Sequence, residues 1–364
     1  MSDHTVIGVG SYDVVIGRDL TDRLPALLGE QVQRVALLYA DELAELAQPL
    51  LDVLVAHYDV LALGLPAGER AKSSSVANDC WEALGESGFT RSDAVVTFGG
   101  GATTDLGGFV AATWLRGVRV VHVPTTLLAM VDAAVGGKTG INTGAGKNLV
   151  GAFHEPAGVL CDLAVLDSLP PEELRAGLAE VVKCGFVADP EILRLVEGDP
   201  EGALAPGGPV LRELVERAVQ VKADVVVDDL RETGGRADHP GREVLNYGHT
   251  LAHAIERVSD YGIRHGEAVA VGCVYVAEVA RRAGLLADDV AERHARTFSA
   301  VGLPVSWDGA PFDDLLAAMR VDKKARGSVL RLVVLHDLAV PRVLAGPDEE
   351  LLRSAYAAVA GGAR

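Results

Sequence analysis

The strongest constraint on the fold is a change of hydrophobic pattern near residue 170 of this 364-residue chain. Before that point, short apolar runs such as Val35–Ala40 and Val118–Val123 alternate with amphipathic segments. This alternation predicts a parallel sheet covered by helices on both faces. From Pro171 onward the apolar residues recur with helical spacing. The sequence therefore predicts an α/β plus all-α protein, with a parallel-sheet domain at residues 1–170 and a helical domain at residues 171–364.

Composition indicates a globular protein of the cell interior. Hydrophobic residues make up 49% of the chain, and the mean hydropathy is +0.23. We find no apolar run of membrane-spanning length and no signal-peptide pattern in Met1–Gly10. The four cysteines are scattered and form no Cys-x-x-Cys pair, which favours free, buried thiols. We therefore expect a cytoplasmic protein with no membrane partner.

The net charge restricts the kind of partner. A formal charge of −18 and a pI near 4.9 argue against nucleic acid or an anionic membrane surface. On such an acidic chain, a local cluster of Lys and Arg indicates a site for a small anionic substrate.

A glycine-rich turn follows one predicted strand in VVTFGGGATTDLGGF. Such a turn lets backbone amides approach a pyrophosphate at the start of a helix. The pattern departs from the common dinucleotide fingerprint because Thr104 replaces its third glycine, so a tight structural turn is an equal alternative. Asp41 and Glu69 follow neighbouring strands, where carboxylates commonly bind a ribose, although solvated loop charge is the alternative for each.

A second glycine-rich segment carries two lysines, in GGKTGINTGAGKN. Lys138 and Lys147 both follow glycine, yet neither lies in a P-loop pattern. Together with Arg116 they offer cations for a phosphate or a carboxylate, and a merely flexible loop is the alternative.

The helical half contains a candidate metal site. His249 and His253 are four residues apart in LNYGHTLAHAIE, which predicts both imidazoles on one helical face. Thr250 stands where the zinc-protease motif has its general-base glutamate. Glu180 and His265 could complete a Glu/His/His zinc arrangement, and the alternative is that each is an ordinary polar core or surface residue.

Taken together, these segments resemble the 3-dehydroquinate synthases, the sugar phosphate cyclases of the shikimate pathway. The resemblance runs from about Tyr12 to Lys324 and includes GGGATTDLGGF, AAVGGKTGIN, GKNLVGAF, GLAEVVKCG, LNYGHTLAHAIE and HGEAVAVG. It implies a Rossmann-like domain followed by a helical metal-binding domain. It also implies bound NAD, one divalent metal ion (zinc or cobalt) and a homodimer.

The resemblance also implies roles for individual residues. The metal ligands would be Glu180, His249 and His265. The NAD contacts would be Asp41, Glu69, Lys72, Gly100, Gly101, Ala102, Asp105, Thr125, Thr126, Lys147 and Ser168. The substrate and catalytic groups would be Arg116, Asp132, Lys138, Asn148, Lys183, Lys222, Arg242, Asn246, His253, Lys323 and Lys324, with Glu232 as a proton acceptor. Arg116 would reach across the dimer interface.

The implied reaction converts 3-deoxy-D-arabino-heptulosonate 7-phosphate to 3-dehydroquinate and phosphate. It combines transient oxidation by NAD, β-elimination of phosphate, re-reduction and an intramolecular aldol step. The alternatives are aminodehydroquinate synthase or another cyclase of secondary metabolism, a polyol dehydrogenase of the same superfold, and a non-catalytic nucleotide-binding module. Arg242, Asn246 and His253 favour a substrate that carries a carboxylate.

The sequence departs from the family pattern in its spacer, at two alanines, and at Thr103 and Thr104, whose position varies in the family. The spacer between Glu232 and Arg242 is longer than usual. Ala133 and Ala134 stand where many members carry serines, so hydroxyl contacts are lost there.

Overall fold

The computed structural model describes residues 4–234, 240–323 and 329–361. The chain forms two compact units: one comprises residues up to 170 together with Lys222–Val227, and the other comprises Pro171–Val221 with the residues from Asp228 onward. Within the described ranges, no helix combines the length and the apolar character needed to cross a membrane.

The first unit is built from strands and helices that alternate along the chain. Its strands are β1 (His4–Val9), β2 (Tyr12–Gly17), β3 (Arg34–Ala40), β4 (Asp59–Leu65), β5 (Ala94–Gly99), β6 (Arg119–Pro124), β7 (Lys138–Thr143), β8 (Gly146–Phe153) and β9 (Gly158–Asp162). Its helices are α1 (Leu24–Leu28), α2 (Ala44–His57), α3 (Ser74–Glu86) and α4 (Gly101–Thr113).

Seven of these strands form one sheet in the order β1-β2-β9-β6-β5-β3-β4. Only β1 and β2 pair antiparallel, and the other neighbours are parallel. Successive residues point to opposite faces: Leu37 packs with Leu50 of α2, whereas Leu38 packs with Leu106 of α4. Apolar strands with a helix on each face are what the strand–helix alternation predicts.

The sheet contains a point at which the direction of strand addition reverses. The chain moves from β3 outward to β4, then returns to the other side of β3 to form β5, and continues to β6. The carboxyl ends of β3 and β5 therefore flank a crevice, which is where open α/β sheets bind ligands.

The second unit is mainly helical, as predicted. Its helices are α5 (Pro171–Val187), α6 (Pro190–Gly198), α7 (Pro200–Ala203), α8 (Pro209–Asp228, whose residues 222–227 group with the first unit), α9 (His249–Val258), α10 (His265–Arg282), α11 (Asp288–Ala300), α12 (Phe312–Lys323) and α13 (Glu349–Ala360). It also contains the hairpin β10 (Arg331–Asp337) and β11 (Val340–Ala345). The predicted fold class is confirmed.

The lysine-bearing glycine segment is a hairpin of β7 and β8 rather than a loop. Its glycines allow the two strands to approach closely. A Cβ on Gly151 would lie 2.1 Å from the carbonyl oxygen of Thr139, and a Cβ on Gly140 would lie 2.8 Å from that of Val150. Glycine therefore serves strand pairing here, and the alternative of a merely flexible loop is wrong.

The stretch LNYGHTLAHAIE was predicted as one helix, but α9 begins only at His249. Gly241–Asn246 is a 3-10 segment, and Gly248 adopts φ +78°, which is left-handed. A Cβ on Gly248 would lie 2.6 Å from the Cys273 sulfur, so glycine is required by both conformation and space. His249 is consequently the first residue of its helix.

Helices α5 and α10 are in contact through Gly266. A Cβ at this position would lie 1.8 Å from the carbonyl oxygen of Ala176. We expect Gly266→Ala to push the helices apart and to reduce the free energy of unfolding by about 1–3 kcal/mol. Urea denaturation followed by circular dichroism measures the loss.

Gly198→Ala is the matched control, because a Cβ on this helical glycine meets no atom within 4 Å. This variant should be at least as stable as the parent chain, since alanine is the better helix former. Equal stability of Gly266→Ala and the parent chain would contradict the close contact.

Candidate functional site

Three predicted metal ligands converge in the second unit. Glu180 lies on α5, while His249 and His265 are the first residues of α9 and α10. Their ligand atoms all lie within 4.8 Å of one another. Nε2 of His249 is 3.4 Å from Oε1 of Glu180, and Nε2 of His265 is 3.6 Å from the same oxygen. Two imidazole nitrogens thus face one carboxylate oxygen.

The environment of that oxygen fits a divalent cation. Oε1 of Glu180 is buried and has no hydrogen-bond partner among the described residues. A buried polar atom without a partner is unusual, and metal binding is one explanation for it. One carboxylate and two imidazoles are ligands that zinc accepts, and they leave a coordination position open for a substrate. The residues present therefore fit the metal that the sequence predicts.

The second oxygen of Glu180 is occupied by Lys183. Its ammonium forms an ion pair with Oε2 and also donates to the carbonyl of Leu245 at 2.7 Å. Both charged side chains are almost fully buried, so each needs the other to offset the loss of hydration. Burial alone would raise the pKa of Glu180, but Lys183 and the two histidines hold it well below its usual range. Glu180 therefore stays ionised, with Oε1 directed at the histidines.

The two imidazoles have opposite electrostatic environments. Burial and the Lys183 ammonium lower the pKa of His249 to about 3, so its ring is neutral. Its Nδ1 donates to the carbonyl of Tyr247 at 3.1 Å, which leaves the Nε2 lone pair for a metal. For His265, burial acts to lower the pKa, but the neighbouring carboxylates of Glu180 and Glu256 outweigh it and raise the pKa to about 10. A positive charge is therefore stabilised between these two carboxylates.

Glu256 is a member of this cluster that the sequence analysis missed. Its Oε2 lies 3.3 Å from Nδ1 of His265, and the residue is 8% exposed. It follows His249 by seven residues on α9, so it shares a helical face with His249 and His253. That spacing was the available signal. A carboxylate on the outer nitrogen of a histidine ligand fixes the orientation of its ring.

His253 lies beside the three converging residues and not among them. Its ring centroid is 5.4 Å from that of His249 and 6.2 Å from that of His265. Unlike those two residues, His253 is exposed. It is thus accessible to a substrate while remaining close to the metal ligands.

The structure brings Glu232 and Arg242 together despite the long spacer between them. Nε of Arg242 is 4.0 Å from Oε1 of Glu232, and its Nη1 donates to the carbonyl of Leu230 at 2.6 Å. Asp229, which the sequence analysis did not single out, accepts backbone N–H bonds from Thr233 at 2.8 Å and from Arg242 at 3.3 Å. Its carboxylate therefore ties both ends of the spacer to one point.

The glycine-rich turn lies at the reversal point of the sheet. Helix α4 begins at Gly101, directly after β5, so its first N–H groups face the crevice. A Cβ on Gly100 would come within 3.3 Å of Thr126, and one on Gly101 within 3.1 Å of Ala133. Asp41 directly follows β3, Ala102 is the second residue of α4, and Thr125 directly follows β6. This arrangement fits a dinucleotide, with its pyrophosphate at the helix start.

Predicted NAD and substrate residues share one hydrogen-bond network in the first unit. The buried ammonium of Lys72 donates to Asp105 at 2.6 Å and also to the Asn148 side chain. Burial raises the pKa of Asp105 to about 6, against the opposing effect of Lys72. Asn142, a residue the sequence analysis missed, donates to Glu69 at 2.6 Å and accepts the backbone N–H of Asn148 at 3.0 Å. The hairpin is thereby joined to the candidate nucleotide site, and Lys147 lies 3.8 Å from Glu69.

The remaining predicted residues divide between the units. In the first unit, Lys222 forms an ion pair with Asp132, whereas Lys138 and Arg116 are exposed. The hydroxyl of Ser168 donates to the carbonyl of Val165 at 3.0 Å and has no hydrogen bond to the other predicted NAD residues described. In the second unit, Asn246 ends the 3-10 segment before α9, and Lys323 ends α12. Lys324 lies outside the described residues.

Comparisons with known proteins agree with this arrangement. Two family models cover most of the chain: "3-dehydroquinate synthase N-terminal" matches residues 62–176, and "3-dehydroquinate synthase C-terminal" matches residues 177–325. A 3-dehydroquinate synthase of Thermobifida fusca (strain YX) is 58% identical over 362 residues, which cover 98% of this chain and 97% of the relative.

Two solved structures share the fold over nearly the whole chain. The 2-epi-5-epi-valiolone synthase ValA of Streptomyces hygroscopicus subsp. jinggangensis 5008, with NAD+ and Zn2+ bound, has a TM-score of 0.87 at 25% identity. It covers 98% of each chain. A 2-deoxy-scyllo-inosose synthase complexed with carbaglucose-6-phosphate, NAD+ and Co2+ has a TM-score of 0.86 at 24% identity, covering 97% of this chain and 99% of the other.

The geometry assigns different tasks to the two histidines of α9. We expect His249→Ala to lose tight zinc binding, because it removes one of the two nitrogens that face Oε1 of Glu180. His253→Ala should keep zinc and lose turnover, because its exposed ring is not one of the three converging ligands. Zinc content after dialysis and competition with a chelator measure the difference. Equal loss of zinc in both variants would refute this assignment.

Glu256→Gln tests the carboxylate behind His265. The amide keeps the shape but removes the charge, so we expect zinc affinity to fall roughly 10- to 100-fold. Glu243→Gln is a suitable control, because Glu243 pairs with exposed Arg331 at 2.9 Å, and its loss should leave zinc affinity unchanged. Unaltered zinc affinity in Glu256→Gln would show that this carboxylate does not support the site.

Proposed function

Because the chain belongs to the 3-dehydroquinate synthase family, we propose that it converts 3-deoxy-D-arabino-heptulosonate 7-phosphate to 3-dehydroquinate and phosphate. It is an enzyme of the carbon–oxygen lyases that act on phosphates, and its cofactors are NAD and one divalent metal ion, zinc or cobalt. The observation that carries the proposal is the convergence of Glu180, His249 and His265 on one buried, unpartnered carboxylate oxygen. This arrangement occurs in a chain that resembles 3-dehydroquinate synthases along nearly its full length.

Glu180, His249 and His265 would hold the metal ion. When bound, such an ion supplies Lewis-acid stabilisation of a substrate hydroxyl as it loses its proton. The surrounding residues would fix the ligands: Lys183 pairs with Oε2 of Glu180 and leaves Oε1 available to an ion, and Glu256 would orient His265. Both supports are buried, so the ligand geometry is set before a substrate binds.

The first unit would bind NAD at the reversal point of its sheet. When bound, NAD would supply transient hydride storage within one turnover, so that no net oxidation would occur. The turn Gly100–Ala102 and the start of α4 would hold the pyrophosphate, and Asp41 would bind a ribose. The remaining contacts are proposed for Glu69, Lys72, Asp105, Thr125, Thr126, Lys147 and Ser168.

The substrate carries a phosphate and a carboxylate, so a chain with a net charge of −18 needs local cations to bind it. In the first unit these cations would be Arg116, Lys138 and Lys222. Asn148 would donate a hydrogen bond to the substrate, and Asp132 would orient Lys222 through their ion pair. In the second unit the substrate groups would be Lys183, Arg242, Asn246, His253, Lys323 and Lys324. Glu232 would accept a proton, held in place beside Arg242.

We also propose a cytoplasmic homodimer. The support for the dimer is the resemblance to the family together with the position of Arg116. This residue is exposed and follows Leu115, and both adopt positive φ, so the chain presents the guanidinium on an abrupt turn. In a dimer Arg116 would reach the substrate of the partner subunit.

The reaction gives a sharp assay. With NAD and Zn2+ or Co2+, the protein should release one phosphate per heptulosonate phosphate consumed, with no net increase in NADH absorbance. The hydride returns within the turnover, which is why absorbance should stay flat. Stoichiometric NADH would indicate a polyol dehydrogenase, and metal-loaded protein that releases no phosphate would refute the proposal.

Parallel reactions separate the related cyclases. The amino analogue of the substrate tests aminodehydroquinate synthase, and sedoheptulose 7-phosphate tests a cyclase whose substrate lacks the carboxylate. Arg242→Lys is the accompanying variant: a point charge replaces a planar donor pair, so KM for the heptulosonate phosphate should rise. Faster turnover of either analogue by the parent chain would assign the protein to that other cyclase.

A further inference from the structure

A fully buried polar pair lies behind the metal ligands and has no role in the proposed reaction. Tyr247 and His294 are both 0% exposed, and the Tyr247 hydroxyl is 2.8 Å from Nε2 of His294. His294 lies on α11, and its Nδ1 is 2.8 Å from the carbonyl of Val290 on the same helix. Tyr247 lies two residues before the metal ligand His249 in the chain.

The partners of His294 define its tautomer. The carbonyl of Val290 can only accept a hydrogen bond, so Nδ1 of His294 carries the proton. Nε2 then has a lone pair and accepts the hydroxyl hydrogen of Tyr247. Burial lowers the pKa of His294 to about 3, which keeps the ring neutral and this direction of donation fixed.

The tautomer of His249 is also defined by a backbone carbonyl. The backbone carbonyl of Tyr247 accepts from Nδ1 of His249 at 3.1 Å, so the proton of His249 is on Nδ1 and its lone pair is on Nε2. Nε2 is the nitrogen that faces Glu180. The position of the Tyr247 carbonyl therefore selects the metal-binding tautomer of His249 and sets the direction of its ring.

The peptide that carries this carbonyl is clamped on several sides. The thiol of Cys273 donates to it at 3.7 Å, and Gly248 is packed against the backbone of α10. The ring of His294 stacks on Phe186 with centroids 3.6 Å apart and planes 13° apart. Phe186 lies on α5 six residues after Glu180. The Tyr247–His294 pair thus links the start of α9 to the helix that bears Glu180.

We propose that His294 is a positioning residue for the metal site: by holding the Tyr247 phenol, it fixes the carbonyl that orients His249. The inference rests on the divalent metal of the proposed function, so metal affinity is its readout rather than turnover. His294 itself touches neither the metal ligands' nitrogens nor a substrate group, and it acts through Tyr247.

The test uses Tyr247→Phe, His294→Phe and the double variant, each of which keeps an aromatic ring in place. Co2+ is the probe, with affinity measured by competition with a chelator and ligand geometry read from the visible d–d absorption. Each single variant leaves a buried polar atom without its partner, so thermal stability should fall. We expect Co2+ affinity to fall about 10-fold and the d–d bands to shift.

The double variant separates positioning from simple stabilisation. It leaves no orphaned polar atom, so stability should recover towards that of the parent chain. Co2+ affinity should nevertheless remain low and the bands shifted, because the Tyr247 side chain is no longer anchored. A double variant that binds Co2+ like the parent chain would overturn the proposal.

Thr97→Val is the matched control in the first unit. Its hydroxyl shares a 2.8 Å hydrogen bond with Nδ1 of His122, and both residues are buried. This variant should lose comparable stability while Co2+ affinity and spectrum stay unchanged. An equal loss of affinity in Thr97→Val would overturn the proposal, since general destabilisation would then suffice. A parent chain that binds no Co2+ would instead overturn the proposed function, and this inference with it.

Discussion

A buried carboxylate requires compensating charge, and at Glu180 this requirement organises the second unit. Lys183 compensates one oxygen from the same helix, and the imidazoles of His249 and His265 face the other from two further helices. Three helices must therefore meet within side-chain reach of one another. Gly266 permits α10 to contact α5, and Gly248 permits the start of α9 to contact α10. The glycines beside the two histidines are thus a consequence of placing two imidazoles around one carboxylate oxygen.

The first unit depends on a different requirement, because its proposed nucleotide site needs the backbone of a turn to lie close to a ligand. Glycines at the start of α4 leave space beside the backbone for a ligand. The charged residues proposed for this site include Asp41 and the hydrogen-bonded pair of Lys72 and Asp105. The hairpin β7–β8 is tied to this region by Asn142 and Asn148. The residues proposed to bind the nucleotide and those proposed to bind the substrate therefore share one hydrogen-bond network in this unit.

The sequence was informative where structure depends on local pattern. Its helical periodicity predicted α5, and the strand–helix alternation predicted the parallel sheet, because burial on one or both faces determines those patterns. The sequence did not predict features that depend on contacts between residues far apart in the chain. The pairing of β7 with β8 was not predicted, because the partners of its glycines across the hairpin cannot be seen locally, and β10 and β11 were missed inside a helical region. Glu256 and Tyr247 hold the candidate metal ligands through contacts that only the folded chain creates.

Asp229 explains how the unusually long spacer can coexist with an intact pair of Glu232 and Arg242. Its carboxylate accepts N–H groups from Thr233 and Gly234 at the start of the spacer and from Arg242 directly after it, so the two ends are held at a fixed separation. What lies between the tied ends can then change in length without moving either charged side chain. Inserting residues at this point lowers stability only through the entropy of loop closure, which grows slowly with loop length. The position can therefore accept a longer or shorter loop beside these two charged side chains, and it offers an attachment point for a label or a fused peptide.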